Sequence, residues 1–292
     1  MPARRSPVPD ELLSRPFTVT EARRLGVSPA VLRGEQFRTP VRGVRASTVL
    51  PDSLEQRCLA VSALMPGVVL SHGTAAALCD LPVPVLSHVV EVTAVGGCRL
   101  TGVRGHRRDP GDDVRTLPSG LRVTSGARTW ADHGVRLELD DLVVLGDAVL
   151  RHGWADQAAL TAAAAVPGRR GARRLRTALG LLEPRTDSPM ETRLRLLVVR
   201  SGLPRPVAGR DVVVDGSWLA RPDLSWPALR IAVEYDGDHH RTDRTQWQRD
   251  IARRRLLEDA GWTLVVVTSD DVLRHPDLLV ARLRRLVDQR SR

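Results

Sequence analysis

The chain of 292 residues contains neither lysine nor asparagine, and all 44 of its basic residues are arginine. Any mechanism that requires a lysine side chain is therefore excluded. Aromatic residues make up only 3% of the chain, so we expect cores built from leucine, valine and alanine. Cysteine is scarce as well: Cys58, Cys79 and Cys98 are odd in number and show no C-x-x-C spacing. This pattern argues against a disulfide framework or a zinc site and indicates a reducing compartment.

Long apolar segments are also missing. The first residues, MPARRSPVPDELL, lack the apolar core of a secretory signal peptide. No apolar run approaches the roughly 18 residues that a membrane-spanning helix needs. With 42% hydrophobic and 27% charged residues the composition is that of a globular protein. We therefore expect a cytoplasmic protein without a membrane partner, and association with the nucleoid is left open.

The net charge of +10 is distributed unevenly along the chain. Counting arginine against aspartate plus glutamate gives +5 for residues 1–45, −3 for residues 46–168 and +8 for residues 169–292. Two basic ends around a slightly acidic middle predict a protein that contacts nucleic acid, with DNA as the partner. The alternative is a solvated arginine surface imposed by composition. A homodimer is left open.

Residues 17–45 predict a winged helix-turn-helix within a first domain of residues 1–50. Thr20 is a good N-cap for a helix over residues 21–25, and Gly26 makes the following turn. A second helix near residues 30–35 would enter the major groove, and QFRTPVRGVR would form a β-wing. The candidate DNA-binding residues are Arg33, Arg38, Arg42 and Arg45, which could contact phosphates. The alternative is a structural helix pair with an incidental arginine surface.

The same segment carries the pattern T-x-x-E-A…G-V-S…L followed by R-G-V. In this it resembles the N-terminal winged helix of AbiEi-family type IV antitoxins, over about 30 residues. The resemblance implies a regulatory DNA-binding role.

Residues 51–168 predict a middle domain of mixed α/β structure whose function the sequence does not indicate. SLEQRCLAVSALM and SHGTAAALCDL are expected to be helices, VVEVTAV a strand, and the segments from about residue 128 to 165 helical again. The stretch VPGRRGARR at 166–174 then changes the composition abruptly. It is either a linker to the next domain or a basic loop lying along a DNA backbone.

Residues 186–292 predict a C-terminal domain in the order helix, strand, strand, strand, helix, strand. The helices are expected in SPMETRLRLLVVRSG and TDRTQWQRDIARRRLLEDAG. The strands are expected in VAGRDVVVDG, WLARPDLS, LRIAVEYDG and WTLVVVTS. The predicted fold class is therefore α/β, in the sense of an α+β multidomain chain that ends in an αβββαβ core.

Acidic residues collect at the end of the third of these strands. Strand alternation places Glu234 and Asp236 on one face, and a hairpin centred near residue 228 places Asp223 roughly opposite Glu234. Opposed or diagonal cross-strand positions lie on the order of 5–8 Å apart. Asp223 and Glu234 could therefore share a hard divalent cation, Mg²⁺ or Mn²⁺, with the carbonyl oxygen of Tyr235 as a third ligand. Such a cation supports phosphodiester hydrolysis.

Pro222-Asp223 followed by Glu234-Tyr235-Asp236, after a helix bearing Glu191, resembles the PD-(D/E)xK nuclease core. The continuation E-x-D-G-x-x-H and the long helix are similar to a bacterial family related to very-short-patch repair endonucleases. The resemblance implies that Asp223 and Glu234 bind metal and that Glu191 is an accessory acid. Asp236 and His240 stand where other branches have the E-x-K lysine. His240, or else His239, is expected to act as the general base or to bind the scissile phosphate.

Several of these residues have a structural alternative. Ser188 and Glu191 match a capping box, in which Glu191 bonds back to the start of its own helix. Asp223 and Asp236 both occupy positions typical of turns. The function we expect is a Mg²⁺-dependent endodeoxyribonuclease with an N-terminal DNA-binding module. The alternative is a non-catalytic, antitoxin-like transcription regulator that binds DNA and has a degenerate nuclease fold.

Overall fold

The computed structural model describes residues 8–84, 89–214, 216–237 and 254–292. It divides the chain into two compact units, residues 1–133 and residues 134–292. Both units contain helices and strands, so the mixed α/β class expected from the sequence is confirmed. The division into three domains at 1–50, 51–168 and 186–292 is finer than these two units and stays a prediction.

The first unit is built of short elements. Its helices are α1 (Asp10–Leu13), α2 (Val19–Arg24), α3 (Leu54–Leu64), α4 (His72–Leu78) and α5 (Gly126–Asp132). Its strands are β1 (Phe17–Thr18), β2 (Phe37–Arg38), β3 (Val44–Ser47), β4 (Val69–Leu70), β5 (Val90–Ala94), β6 (Val103–Arg107), β7 (Val114–Thr116) and β8 (Arg122–Thr124). They form an antiparallel sheet in the order β1-β3-β2 and a mixed sheet in the order β6-β5-β4-β8-β7.

The beginning of the chain contains the expected hairpin but not the expected second helix. β2 and β3 pair as a hairpin, with Gly43 in the left-handed region at φ +92° before β3, and the role of this hairpin as a wing stays a prediction. The helix expected over residues 30–35 is wrong, because only a three-residue 3₁₀ helix, Val31–Arg33, forms before the chain leaves the helical conformation at Gly34. Pro29 and Gly34 lie too close together for a stable α-helix to form between them.

The middle elements agree with the sequence patterns. α3 and α4 follow Ser53 and Ser71 as N-caps, and β5 covers the expected strand. The Ser53 hydroxyl accepts a hydrogen bond from the Gln56 amide, as an N-cap side chain should.

The second unit begins with helices and ends with the second set of strands. Its helices are α6 (Leu139–Arg151), α7 (Gln157–Ala165), α8 (Ala172–Leu179), α9 (Pro189–Arg200), α10 (described residues 254–259), α11 (Ser269–Leu273) and α12 (Pro276–Arg290). Its strands are β9 (Val207–Ala208), β10 (Val212–Val214), β11 (Ser217–Ala220), β12 (Leu224–Trp226), β13 (Ile231–Tyr235) and β14 (Thr263–Val267). α6 packs against both α8 and α9.

The central sheet of this unit has the strand order β14-β13-β12-β9. β13 and β14 are parallel, and the other two pairs are antiparallel. The two strands expected before β13 are each divided, because β10 and β11 leave the central sheet and form a separate hairpin. The first division falls at Gly209, which has φ +49° and where a Cβ would lie 2.2 Å from the Arg185 carbonyl oxygen. The second falls at Pro222, which has no N–H to donate to a ladder.

Two apolar clusters cover the two faces of the central sheet. Ile231 and Val233 face a core shared with α9 and α12, whereas Ala232 faces a smaller cluster with Leu257 and Trp262. This alternation is the one expected from the sequence and places Glu234 on the Ala232 face. In the described part of the chain, every helix is too short or too polar to span a membrane.

Candidate active site

Asp223 and Glu234 lie at facing positions of neighbouring strands. The antiparallel register of β12 and β13 pairs Leu224 with Val233, and extending it by one residue pairs Asp223 with Glu234. The 3₁₀ helix Pro227–Leu229 and the left-handed Arg230, at φ +52°, close this hairpin and fix its register. The predicted juxtaposition of the two acids is therefore present, at the end of strands that are buried on both faces.

The main chain of β13 also faces Asp223. The Tyr235 N–H donates a hydrogen bond of 2.6 Å to Asp223 Oδ2. On the other edge, the Asp236 N–H donates to the Val267 carbonyl oxygen of β14 at 2.8 Å. Because the N–H and C=O of one strand residue point to the same edge, the Tyr235 carbonyl oxygen is directed to the Asp223 side. The third oxygen expected from the sequence thus lies on the correct edge of β13.

Glu191 combines part of its expected capping role with proximity to Asp223. Ser188 is the N-cap of α9 and accepts a hydrogen bond from the Glu191 N–H at 3.2 Å. The Glu191 carboxylate does not complete the capping box at Ser188 N–H; instead its Oε2 accepts from the Asp187 N–H at 2.6 Å. Burial raises the pKa of Glu191, against the hydrogen bonds from Asp187 and Ser188. Glu191 is therefore a half-buried acid held at the start of α9.

The charges around Asp223 favour its protonated form. Burial raises the pKa of Asp223 to about 7, and the negative charge of Glu191 is the next largest cause, with smaller contributions from Glu234 and Asp187. The hydrogen bond from the Tyr235 N–H acts in the opposite direction. Three carboxylates acting on one half-buried carboxylate are the electrostatic pattern of a site that lacks a positive charge. Asp187 belongs to this group although the sequence patterns did not single it out.

A buried network fixes the start of α9. Asp147 of α6 is fully buried and accepts from the Glu183 N–H at 2.7 Å, from the Thr192 hydroxyl at 2.9 Å and from Arg195 at 2.9 Å. Burial raises the pKa of Asp147, while Arg195 and these hydrogen bonds oppose the shift. The network thereby ties the loop before Ser188 and the first turns of α9 to α6. An aspartate inside the apolar run VVLGDAVL was the available sequence signal for it.

Of the residues expected at the lysine position, Asp236 lies within the described part of the chain. Asp236 follows the end of β13 and its side chain is exposed, and it is not among the charges that raise the Asp223 pKa. His239 and His240 lie outside the described residues, so their roles stay predictions.

The donor set of this site suits a hard divalent cation. Within the described ranges, no group of three or more His, Cys, Asp or Glu side chains is placed to hold a metal ion. Mg²⁺, however, is commonly held by only one or two protein carboxylates together with water and substrate phosphate. Asp223, Glu234 and the Tyr235 carbonyl offer two such carboxylates and one main-chain oxygen. A cation among them would offset the crowding of negative charge at Asp223.

The four arginines expected to contact DNA in the first unit divide into two pairs. Arg38 donates to the carbonyl oxygens of Ser47 and Leu50, and Arg45 donates to the Leu32 carbonyl oxygen at 2.8 Å. These two guanidinium groups are engaged in holding the hairpin and the 3₁₀ segment together. Arg33 and Arg42 have exposed side chains. DNA contact by any of the four remains a prediction, and it is stereochemically simpler for Arg33 and Arg42.

Comparison with known proteins defines the class of the C-terminal region. Residues 216–287 match REase_MTES_1575, a restriction-endonuclease-like family. The matched segment includes Asp223, Glu234 and Asp236 and begins after Glu191. The chain therefore carries a restriction-endonuclease-like domain near its C-terminus. The relationships to very-short-patch repair endonucleases and to AbiEi antitoxins stay predictions.

Two relatives that match most of the chain come from Mycobacterium tuberculosis. The chain is 32% identical over 246 residues to two Mycobacterium tuberculosis proteins, "Uncharacterized protein MT2308" of strain CDC 1551 / Oshkosh and "Uncharacterized protein Rv2248" of strain ATCC 25618 / H37Rv. Each match covers 82% of this chain and 88% of the relative. The chain belongs to the same family as these two proteins. No solved structure gives a significant match.

Proposed function

We propose that the protein is a metal-dependent DNA endonuclease whose active site lies in the second unit. The observation that carries this proposal is the opposition of Asp223 and Glu234 across β12 and β13, with Glu191 acting on Asp223. Asp223 and Glu234 lie within a segment related to restriction endonucleases, which supports DNA as the substrate. The proposed reaction is hydrolysis of a phosphodiester bond, as a nick or a double-strand cut.

Asp223 and Glu234 would hold the cation, and the Tyr235 carbonyl oxygen would be a further ligand. Bound Mg²⁺ or Mn²⁺ supplies Lewis-acid stabilisation of the charge that develops during phosphodiester hydrolysis. Burial and, after it, the negative charge of Glu191 raise the pKa of Asp223 to about 7, so that in the cation-free protein Asp223 is partly protonated near neutral pH. Binding of a cation is then coupled to release of that proton, which makes cation affinity increase as the pH rises through about 7.

The chain has no lysine to position the attacking water, so another group must do so. Asp236 lies two residues after Glu234, on the same face of the strand by alternation. We assign the proton-accepting role to His240, or alternatively to His239, because an imidazole can act as a general base near neutral pH. Replacing both histidines by alanine should then lower the cleavage rate more at neutral pH than above about pH 8.5, where hydroxide is more abundant.

Plasmid cleavage tests the proposal directly. Purified full-length protein is incubated with supercoiled plasmid and Mg²⁺ or Mn²⁺, with and without EDTA. We expect cation-dependent nicking that falls about 100-fold or more in Asp223→Asn and in Glu234→Gln, the size expected when an electrostatic stabiliser of the transition state is removed. Asp288→Asn, an exposed acid on α12, is the matched control and should nick at the wild-type rate. Wild-type activity no higher than that of the two site variants would exclude the endonuclease.

A second function is favoured by one observation, the aspartate at position 236 of a chain without lysine. A nuclease fold that has lost this group could serve as a DNA-binding regulator without catalysis. That function predicts no nicking under any cation condition. It also predicts a salt-sensitive gel shift on the protein's own promoter that is unchanged in Asp223→Asn and Glu234→Gln.

A further inference from the structure

α8 and the loop before it form the most basic segment of the second unit. Residues 166–180, VPGRRGARRLRTALG, contain five arginines and no acidic residue. The side chains of Arg170, Arg173 and Arg176 are exposed and spaced three residues apart. We call these three residues the α8 arginine face. None of the three side chains makes an ion pair or a hydrogen bond with another residue in the described ranges.

The neighbouring helix α9 also contains several arginines, but these arginines have acidic partners. Arg193, Arg195 and Arg200 of α9 are paired with three aspartates of α6. α8 packs against the same α6, yet the carboxylates of α6 are already used by α9. Positive charge therefore remains uncompensated on α8. The nearest acidic residues in the sequence are Asp156, at the N-cap of α7, and Glu183, and both lie outside this segment.

A groove of about 580 Å³ lies beside the α8 arginine face. Its apolar wall is formed by Val135 and Leu139, and its basic rim by Arg170, Arg173 and Arg174. Arg174 is fixed by a hydrogen bond of 2.6 Å to the Leu137 carbonyl oxygen. An apolar wall between guanidinium groups can contact deoxyribose while the arginines contact the flanking phosphates.

Two glycines give the groove a rigid base. A Cβ on Gly171, whose φ is +81°, would lie 2.6 Å from the Gly134 carbonyl oxygen. A Cβ on Gly134 would lie 2.8 Å from Leu175 Cγ. The start of α8 can therefore approach the 134–135 main chain this closely only because neither position carries a side chain. This contact holds the basic rim at a fixed place along the groove.

We propose that the α8 arginine face and its groove bind the phosphate backbone of double-stranded DNA, through residues other than those of the carboxylate site. The inference rests on the proposed endonuclease function for the choice of DNA as the partner. The surface would contribute affinity without reading sequence, because phosphate contacts position a protein on DNA but carry no base information. Its contribution decreases as salt rises, because each neutralised phosphate releases counterions.

The test compares two triple variants of the full chain that carry the same change in charge. One replaces the α8 arginine face, as Arg170→Gln, Arg173→Gln and Arg176→Gln. The control replaces three exposed arginines of the α11–α12 region, as Arg274→Gln, Arg282→Gln and Arg285→Gln. Binding of a fluorescent duplex of random sequence is measured by anisotropy over a range of salt concentrations, and circular dichroism verifies that each variant is folded.

We expect the α8 triple variant to bind the duplex about tenfold more weakly or worse near physiological salt, with a salt slope reduced by about two to three. The control should bind within about threefold of wild type. Equal weakening in both variants, or no weakening in the α8 variant, would overturn the proposal. So would an α8 variant that keeps duplex binding but loses binding to a polyglutamate probe, because the partner would then be an acidic protein segment.

Plasmid nicking separates this proposal from the endonuclease. If wild type nicks and the α8 variant binds and nicks like wild type, the DNA surface is wrong and the endonuclease stands. If wild type binds duplex through α8 but nicks no better than Glu234→Gln, the surface stands and the endonuclease is wrong. A wild-type protein that neither binds nor nicks duplex would contradict both.

Discussion

Asp223 is the residue whose position in the sheet bears most directly on the proposed chemistry. It follows Pro222 at the beginning of β12 and accepts a hydrogen bond from the Tyr235 N–H. Burial and, after it, the negative charge of Glu191 raise its pKa. A carboxylate with a main-chain donor would ordinarily have a low pKa, because the hydrogen bond stabilises the charged form. Here burial and the neighbouring negative charge outweigh that donor and raise the pKa to about 7. This balance is the one expected of a carboxylate that binds a cation, and it supports the proposed role of Asp223.

Glu191 and Ser188 allow the capping and electrostatic roles at the start of α9 to be separated. In the cation-free protein, Glu191→Gln removes a negative charge next to Asp223, so the pKa of Asp223 should fall toward its ordinary range. Ser188→Ala removes the N-cap hydrogen bond, which costs about 1 kcal/mol of stability, but keeps that charge. NMR titration of the Asp223 carboxyl carbon measures the pKa of Asp223 in wild type and in both variants. Equal pKa values in wild type and Glu191→Gln would contradict the coupling.

The same pKa shift predicts how stability depends on pH. Folding raises the pKa of Asp223, so its contribution to stability is complete below about pH 4, the unfolded value. That contribution is lost as the pH rises through about 7. The free energy of unfolding of the cation-free wild type should therefore fall by about 1–3 kcal/mol more between pH 5 and pH 8 than that of Asp223→Asn. Urea unfolding of wild type and of Asp223→Asn at pH 5 and pH 8 measures this difference in the free energy of unfolding.

Helix α9 illustrates how one element connects the two halves of the second unit. Its N-terminal end presents Glu191 to Asp223, and its side facing α6 carries Arg195, which is buried against Asp147. The position of the acidic site therefore depends on a helix whose start is fixed by Asp147, Thr186 and Thr192. Displacement of this network would move Glu191 relative to the strands.

Asp147→Asn and Asp141→Asn test this dependence as a matched pair on α6. Asp147→Asn leaves the buried Arg195 without its carboxylate, so we expect a loss of about 3–5 kcal/mol of unfolding free energy. Asp141→Asn removes a partly exposed pair with Arg193, which should contribute less than about 1 kcal/mol. Urea denaturation of both variants measures the two losses. Similar small losses would show that the network does not hold α9 in place.

The sequence predicted local elements better than their sheet membership. The alternation in IAVEY and the hairpin centre near residue 228 were enough to bring Asp223 opposite Glu234, because register along two adjacent strands is a local property. The division at Gly209 was not predictable in the same way, since it results from contact with the Arg185 carbonyl oxygen, far away in the sequence. The buried Asp147 network likewise depends on packing between α6 and α9.

At the scale of the whole molecule, the mycobacterial relatives and the restriction-endonuclease-like family match different lengths of the chain. The mycobacterial relatives match 82% of the chain, so the family is defined by both units. The restriction-endonuclease-like match covers only residues 216–287, although Glu191 and the Asp147 network lie before it. The unit of residues 134–292 contains every described residue of the candidate site together with its own apolar cores. We therefore expect this unit to bind a divalent cation by itself.

Calorimetric titration of Mn²⁺ into the full chain and into residues 134–292 tests the central claim most directly. The cation site predicts one Mn²⁺ per chain in both proteins at about pH 8, weaker binding near pH 6 because Asp223 is then protonated, and loss of binding in Asp223→Asn and in Glu234→Gln. The Asp288→Asn control should bind like wild type. The proposed cation site would be contradicted by Mn²⁺ binding that is unchanged in Asp223→Asn and Glu234→Gln. It would also be contradicted if wild type bound no Mn²⁺ even with duplex DNA present.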